Sequence, residues 1–216
     1  MEADRIAALL EPFLGDKRMP ASLASQFVAY LDLLLRWNAR VNLTAIRDPE
    51  QIVTRHFGES LFAAGALRDA GALVSQSGFP PSLADVGSGA GFPGIPIKLV
   101  APEINLTLLE SQNKKATFLR EVIRTLGLEG VEVFCGRAED WKGVAHIVTL
   151  RAVERFETAL PSVASIVASG GNLCLLIGIG QVQSAEQRLG VQWHLTSPVH
   201  IPHSERRVLA MYQRMA

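Results

Sequence analysis

Leu83-Ala-Asp-Val-Gly-Ser-Gly-Ala-Gly-Phe-Pro-Gly94 is a run of apolar residues leading into three alternating glycines, Gly87, Gly89 and Gly91. An apolar, helix-compatible run continues from Gly94 to Val100. Strand, tight turn and helix in that order are the first unit of a doubly wound α/β sheet. Glycine suits such a turn because the backbone there takes positive φ or lies against a ligand with no Cβ in the way. A turn that opens a helix also aims unpaired backbone N–H groups at whatever binds beside it.

Outward from this stretch the chain keeps alternating. Strands are predicted at 82–86, 104–110, 131–135, 143–150 and 173–177, with helices at 93–101, 112–126, 156–168 and 181–189 and two last strands near 190–197 and 206–213. Alternation at this spacing implies a mostly parallel, twisted, Rossmann-like sheet with helices on both faces, over residues 82–216. Residues 1–81 read as a helical extension packed on that core, with helices at 4–14, 21–38 and 49–68. In the second, Leu23, Phe27, Tyr30, Leu31, Leu34 and Leu35 share one face, with Ser22 a candidate N-cap. Asp48-Pro-Glu-Gln51 has the cap, first-turn proline and capping-box residue of a helix start.

The 216 residues are 48% apolar and 19% charged with zero formal net charge, an ordinary soluble composition with no global field to draw in nucleic acid. A nucleic-acid site would have to be a local patch. No secretory signal is visible at Met1-Glu-Ala-Asp-Arg5, and no apolar run approaches the roughly 18 residues a membrane span needs, so a cytoplasmic protein is expected. Cys135 and Cys174 have no metal-spaced partner and read as buried thiols. The histidines show no metal-ligand spacing either.

Two ligand classes use a glycine turn of this kind. Gly89-x-Gly91-x-x-Gly94 fits the dinucleotide fingerprint, a weak signal alone. Asp85 argues against it: a carboxylate at the end of that strand would repel a pyrophosphate and favour a cationic ligand such as S-adenosylmethionine. The pattern Asp-x-Gly-x-Gly-x-Gly looks like the first motif of the class I methyltransferases. Ligands of open α/β sheets sit beyond the carboxyl ends of the strands. The second strand ends at Glu110, about 19 residues past Gly91, where an acid can accept both ribose hydroxyls. Gly136-Arg-Ala-Glu-Asp140 follows the third and could read an adenine edge. Arg151 ends the fourth and could hold a carboxylate or phosphate in a fork.

Together with Trp37-Asn38, Asn42-Leu-Thr44, His56, Glu59-Ser-Leu61, the Phe-Pro-Gly-Ile-Pro run from Phe92, Lys114-Lys115, Arg151-Ala152 and Glu205-Arg206, these residues resemble the bacterial 16S ribosomal RNA guanine-N7 methyltransferases, once named glucose-inhibited division protein B. The resemblance spans about Tyr30 to Arg214. It implies methyl transfer from S-adenosyl-L-methionine to N7 of a guanine in the 530 loop of 16S rRNA, on the 30S subunit, by a monomer without metal. It implies that Asp85, Gly87, Gly89, Gly91 and Phe92 form the cofactor loop, that Ala138 and Glu139 hold the adenosine end and Glu110 the ribose, and that Arg151 lies beside the methionine moiety and the entering base. Lys114, Lys115, Arg206 and Arg207 are then candidates for rRNA contacts, and Arg36, Arg40, Arg47 and Arg55 a conceivable further patch.

Two positions depart from the family pattern. Ile177 stands where a lysine is usual, removing a cation from the strand-end rim, and His146 stands where an acid is usual, marking a packing or hydrogen-bonding change. His56 reads as structural first and RNA-facing second. Guanine N7 is an in-plane acceptor that attacks a sulfonium methyl without losing a proton, so positioning carries the reaction. No Asn/Asp-Pro-Pro-Tyr/Phe motif for amino-group methylation occurs, and Cys174 is not at a strand end, against a cytosine nucleophile. The rival readings are a nicotinamide-dependent oxidoreductase and a non-catalytic S-adenosylmethionine-binding regulator.

Overall fold

The computed structural model describes residues 1–75, 78–151 and 156–215. Its centre is an eight-stranded sheet made of β1 (Ser82–Val86), β2 (Asn105–Glu110), β3 (Val131–Cys135), β4 (Ala145–Arg151), β5 (Val167–Gly178), β6 (Trp193–Leu195), β7 (Val199–His200) and β8 (Arg207–Arg214). The spatial order is β3-β2-β1-β4-β5-β8-β6, with β7 pairing β8. The first five strands pair in parallel, and β8 runs antiparallel to β5, β6 and β7. The strand order reverses between β1 and β4, which opens a crevice at their carboxyl ends.

Helices α1 (Ala3–Leu10), α2 (Ala21–Asn38), α3 (Pro49–Ile52) and α4 (Glu59–Asp69) come first, and α5 (Gly94–Val100), α6 (Asn113–Leu126), α7 (Phe156–Ser165) and α8 (Val182–Leu189) alternate with strands. Helix α2 begins on Pro20 with no side-chain cap, so Ser22 lies inside the first turn instead of capping it. Asp48 does cap α3, its carboxylate accepting from the Gln51 N–H at 2.8 Å. The helix expected at 49–68 is continuous but not uniformly α: Val53–Gly58 winds as a π turn between α3 and α4. Such a turn widens the coil and re-aims the side chains it carries.

The period-two alternation of the strands sorts the core into two layers. Leu83 of β1, Leu106 and Leu108 of β2 and Cys174 of β5 face a cluster built from α1, α2, α4, α5 and α6, with Ile6, Phe27, Tyr30, Leu31 and Phe57 buried in it. Ala84, Val86, Leu173 and Leu175 face the opposite cluster with Leu160 and Val163 of α7 and Ala185 of α8. The N-terminal helices thus share one apolar layer with the sheet. Ile177 is 5% exposed in the second layer, opposite Val208, where an aliphatic side chain is accommodated by its neighbours. Strand β5 starts at Val167, earlier than the expected 173, and α7 ends at Ser165, short of the expected 168, because Val167 pairs Ala145 across a register shift and the strand passes through Gly170 and Gly171.

Candidate active site

The glycine turn is folded around Asp85. Its side chain is wholly buried, Oδ2 accepting the Gly94 N–H at 3.1 Å and Oδ1 the Thr149 hydroxyl at 2.7 Å. Ser88 Oγ donates to the Asp85 carbonyl at 2.8 Å. The sequence reading expects this carboxylate to meet the ligand; in the structure its oxygens point inward, because alternation turns Asp85 onto the layer shared with Tyr30 and the first turn of α5. Burial pushes its carboxyl up to about 6 despite those two donors. Gly91 has φ +93°, and a Cβ there would lie 2.5 Å from both Ile95 Cδ1 and Tyr30 Oη. Only glycine fits, since the turn is pressed against α2, with the Tyr30 hydroxyl donating to the Ala90 carbonyl.

The other strand-end residues converge on the same edge. Glu110 is 5% exposed; Oε2 accepts from Gly89 N–H at 2.9 Å and Oε1 from Gln112 N–H at 2.7 Å, tying the glycine turn to the end of β2. The Glu110 carbonyl accepts from Gly136 N–H at 3.1 Å, which aligns the β3 exit with the β2 exit. Ala138 and Glu139 open the short 3-10 turn Ala138–Asp140, the alanine half-buried and the glutamate exposed. Gly87 is exposed and Gly89 half-buried, so this edge of the turn is open to a ligand.

Above the turn sits a second network supplied by the N-terminal segment. Asn38 closes the loop after α2, its amide pairing with Thr44 N–H and Thr44 carbonyl, each at 3.0 Å. Thr44 Oγ1 lies 2.7 Å from His56 Nε2, and His56 Nδ1 lies 3.0 Å from an Arg151 guanidinium nitrogen. The imidazole stacks on Phe92 at 4.8 Å and 17°. Burial first, then the charges of Arg151, Arg55 and Arg207, push His56 down to about 2, so it is a neutral imidazole at working pH. Arg151 also donates to the Arg55 carbonyl at 2.7 Å and pairs with Glu59 at 3.1 Å. The sequence reading brings Arg151 to the mouth of the crevice; in the structure the π turn and the first residue of α4 hold its guanidinium. The adjoining Ala152 lies outside the described residues.

Of the four rRNA candidates, Lys114 and Arg206 are exposed and Lys115 is half-buried, while Arg207 reaches inward to pair with Glu59 at 2.5 Å. Arg36, Arg40, Arg47 and Arg55 are exposed, with Arg47 anchored on the Asn38 carbonyl and Asn42 Oδ1, each at 3.0 Å. Sequence reasoning gave Glu59 no role. A usable signal exists: a carboxylate inside the apolar run Phe57–Ala64, four residues after Arg55, is expected to be paired. Thr149 and Tyr30 were also missed, since their partners are 64 and 60 residues away in the chain.

Two cysteine expectations need correcting on one side. Cys174 is buried, and burial raises its thiol to about 12. Cys135 is exposed because it is the last residue of the edge strand β3, where its thiol donates to Asn113 Oδ1 at the start of α6 at 3.0 Å. His146 lies at the opposite end of the sheet, Nδ1 2.8 Å from Ser82 Oγ, an arrangement that stitches the start of β4 to β1. Among the described residues no three His, Cys, Asp or Glu side chains gather as a metal site, and no helix is long and apolar enough to cross a membrane.

Residues 23–208 match the family described as GidB, rRNA small subunit methyltransferase G. The ribosomal RNA small subunit methyltransferase G of Stenotrophomonas maltophilia (strain R551-3) is 38% identical over 205 residues, 91% of this chain and 89% of that protein. The protein of the same name from Roseiflexus sp. (strain RS-1) is 37% identical over 211 residues, 92% and 86% of the two chains. Among solved structures, magnesium protoporphyrin IX methyltransferase from Synechocystis PCC 6803 with bound SAM superposes with a TM-score of 0.65 at 12% identity, over 86% of this chain and 97% of that one. Ribosomal protein L11 methylase from Lactobacillus delbrueckii subsp. bulgaricus gives 0.60 at 16% identity, over 74% and 80%. At those identities the structural likeness shows the fold alone, that of the class I methyltransferases. Family match and relatives alike extend across the glycine turn, the strand ends and most of the N-terminal helices, and this chain belongs to the rRNA small subunit methyltransferase G family.

Proposed function

We propose that the protein transfers a methyl group from S-adenosyl-L-methionine to N7 of a guanine in the 530 loop of 16S rRNA. The observation that supports this most is a glycine turn at the switch point of the sheet, fastened on one side to Glu110 and on the other to the network holding Arg151. Packing of Gly91 against Ile95 and Tyr30 fixes the shape of the turn, and its edge leaves Gly87 exposed, as a close backbone approach to a ligand requires.

The cofactor supplies an electrophilic methyl on a sulfonium. Backbone groups from Gly87 to Gly91 line its place, with Phe92 closing the loop. Each Glu110 oxygen keeps a lone pair beside the N–H it already accepts, enough to take ribose hydroxyls. Ala138 and Glu139 sit where the adenine edge would lie. Guanine N7 needs no deprotonation, so the residues act by alignment. His56 fits this scheme, since it is neutral with both ring nitrogens engaged and has no proton to exchange near pH 7. The methylated base is cationic, and Glu59 offsets the charge of Arg151 beside it. Lys114, Lys115, Arg206 and Arg207, with the arginines of the N-terminal segment, form the basic rim for rRNA. Zero net charge overall suits a shaped substrate, the 30S subunit, bound by a monomer in the cytoplasm.

The test is transfer of labelled methyl from S-adenosylmethionine to 30S subunits lacking the modification, followed by mapping of the base. Label at N7 of one guanine in the 530 loop is expected, and would show that Ile177 is tolerated. Cofactor binding without transfer would point to a regulator. Binding of NADH in place of S-adenosylmethionine would point to an oxidoreductase.

A further inference from the structure

Glu59 is 1% exposed at the first position of α4, and it faces three guanidinium groups at once. Oε2 lies 3.1 Å from Arg151, and Oε1 lies 2.5 Å from Arg207 and 3.5 Å from Arg55. The three arginines come from different places: the π turn, the carboxyl end of β4 and the first residue of β8. Their side chains grade outward, Arg151 being 10% exposed, Arg207 27% and Arg55 46%. A buried carboxylate serving one arginine would be an ordinary ion pair. One serving three leaves an excess of two positive charges, which is unfavourable unless something anionic shares them.

We propose that Glu59 is a positioning residue: it sets the angle of Arg151 toward the crevice and holds Arg207 back from the substrate's phosphates until they compete for it. This rests on the methyl-transfer reading. The π turn makes the arrangement possible, because it brings the Arg55 carbonyl, His56 and Glu59 onto one side of Arg151. One Arg151 nitrogen meets the Arg55 carbonyl and His56 Nδ1 through hydrogen bonds, and Glu59 adds, 3.1 Å from the same nitrogen, the negative charge that draws the guanidinium toward them. Among the described residues Glu59 is the one carboxylate paired with the Arg207 terminal nitrogen, and both Arg207 Nε and Glu59 Oε1 are buried without a hydrogen-bond partner. Arg207 thus has one carboxylate contact to give up when a phosphate competes for it. Among the described residues no hydrogen bond or ion pair joins Glu59 to the glycine turn, so its effect on the cofactor passes through Arg151, His56 and Phe92.

The decisive comparison is Glu59→Gln against wild type, with S-adenosylmethionine affinity, kcat, KM for 30S subunits, and 16S rRNA binding across a salt series. Glutamine keeps the shape but offers one acceptor and a donor that opposes a guanidinium. Expected are cofactor affinity within about threefold of wild type and kcat down about 10- to 100-fold. The freed arginines should leave KM equal or lower and steepen the log-log salt slope of rRNA binding by about one. A merely structural role would lower the folded fraction without steepening that slope. A folded variant with wild-type kcat, or one whose KM rises while kcat holds, overturns the proposal. Glu59→Asp keeps the charge one methylene short. It should lose less in kcat with an unaltered slope, and it decides the matter by kcat if the glutamine variant does not fold. If wild type transfers no methyl to the subunits, the functional reading fails. The salt slopes, which need no turnover, then still judge the positioning role.

Discussion

Replacing Asp85 by asparagine separates the charge of this side chain from its shape. Asparagine can still accept the Gly94 N–H, while its amide nitrogen donates to a rotated Thr149 hydroxyl. What disappears is an ionisation that the folded protein disfavours: burial lifts the carboxyl from an ordinary 3.8 to about 6. For an acid whose folded value is raised, the protonated form favours folding. The contribution is therefore full below the unfolded value and is lost as pH rises through the folded one. At about 1.4 kcal/mol per tenfold, the loss amounts to about 3 kcal/mol, most of it between about pH 4 and about pH 7.5. Urea unfolding of both proteins across that range isolates it, since every other titrating group is common to the pair. Relative to Asp85→Asn, wild type should lose about 2–3 kcal/mol of stability as pH rises. A pH-independent difference would refute the account of Asp85 as a buried, reluctantly ionised clasp. Cofactor affinity supplies the functional half: Asp85→Asn should stay within about fivefold of wild type, because the loop keeps its fastening. Asp85→Ala should lose far more, since it leaves the Gly94 N–H and the Thr149 hydroxyl unpaired in the interior.

The turn itself is tested by Gly91→Ala, whose Cβ would collide at 2.5 Å with Ile95 and Tyr30 on a backbone at φ +93°. It should destabilise by about 2–4 kcal/mol in thermal unfolding and abolish S-adenosylmethionine binding in calorimetry. Native protein should react with a thiol reagent once, rapidly, at Cys135. Cys174, with its thiol raised to about 12, should react only after unfolding; two fast equivalents would contradict its burial. Because His56 is held down at about 2, the pH profile of kcat/KM should show no ionisation of it between about pH 6 and 8. On stability the sign is opposite to that of Asp85. Lowering pH through the unfolded value of 6.5 protonates His56 only in the unfolded chain, so a His56→Gln variant should narrow its deficit as pH falls.

Much of this molecule was legible along the chain. The bounds of β1 and β3 and of α2 agree with expectation to the residue, and most others to within two, because period, glycine and proline are local properties. The glycine turn was equally visible, since its signal lies in consecutive residues from Asp85 to Gly94. Arg151 and Glu110 could be located because a parallel sheet puts every strand's carboxyl end on one edge.

Tertiary structure alone decided what those residues do to one another. Local pattern marked Asp85 as a strand-end acid, but only its register beside Thr149 and its packing under α5 made it a buried clasp for the turn. It marked Arg207 as a basic residue on a late strand, but β8 had to insert antiparallel beside β5 before that side chain could meet Glu59. The exposure of Cys135 and the burial of Cys174 follow from which strand lies at the edge, a property of sheet order and not of neighbours in the chain. Sequence thus determined the elements, the turn and the class of chemistry, whose causes act within a few residues. Partners, burial and the charge states that follow from burial waited on contacts between segments tens of residues apart, since those depend on where the whole chain closes.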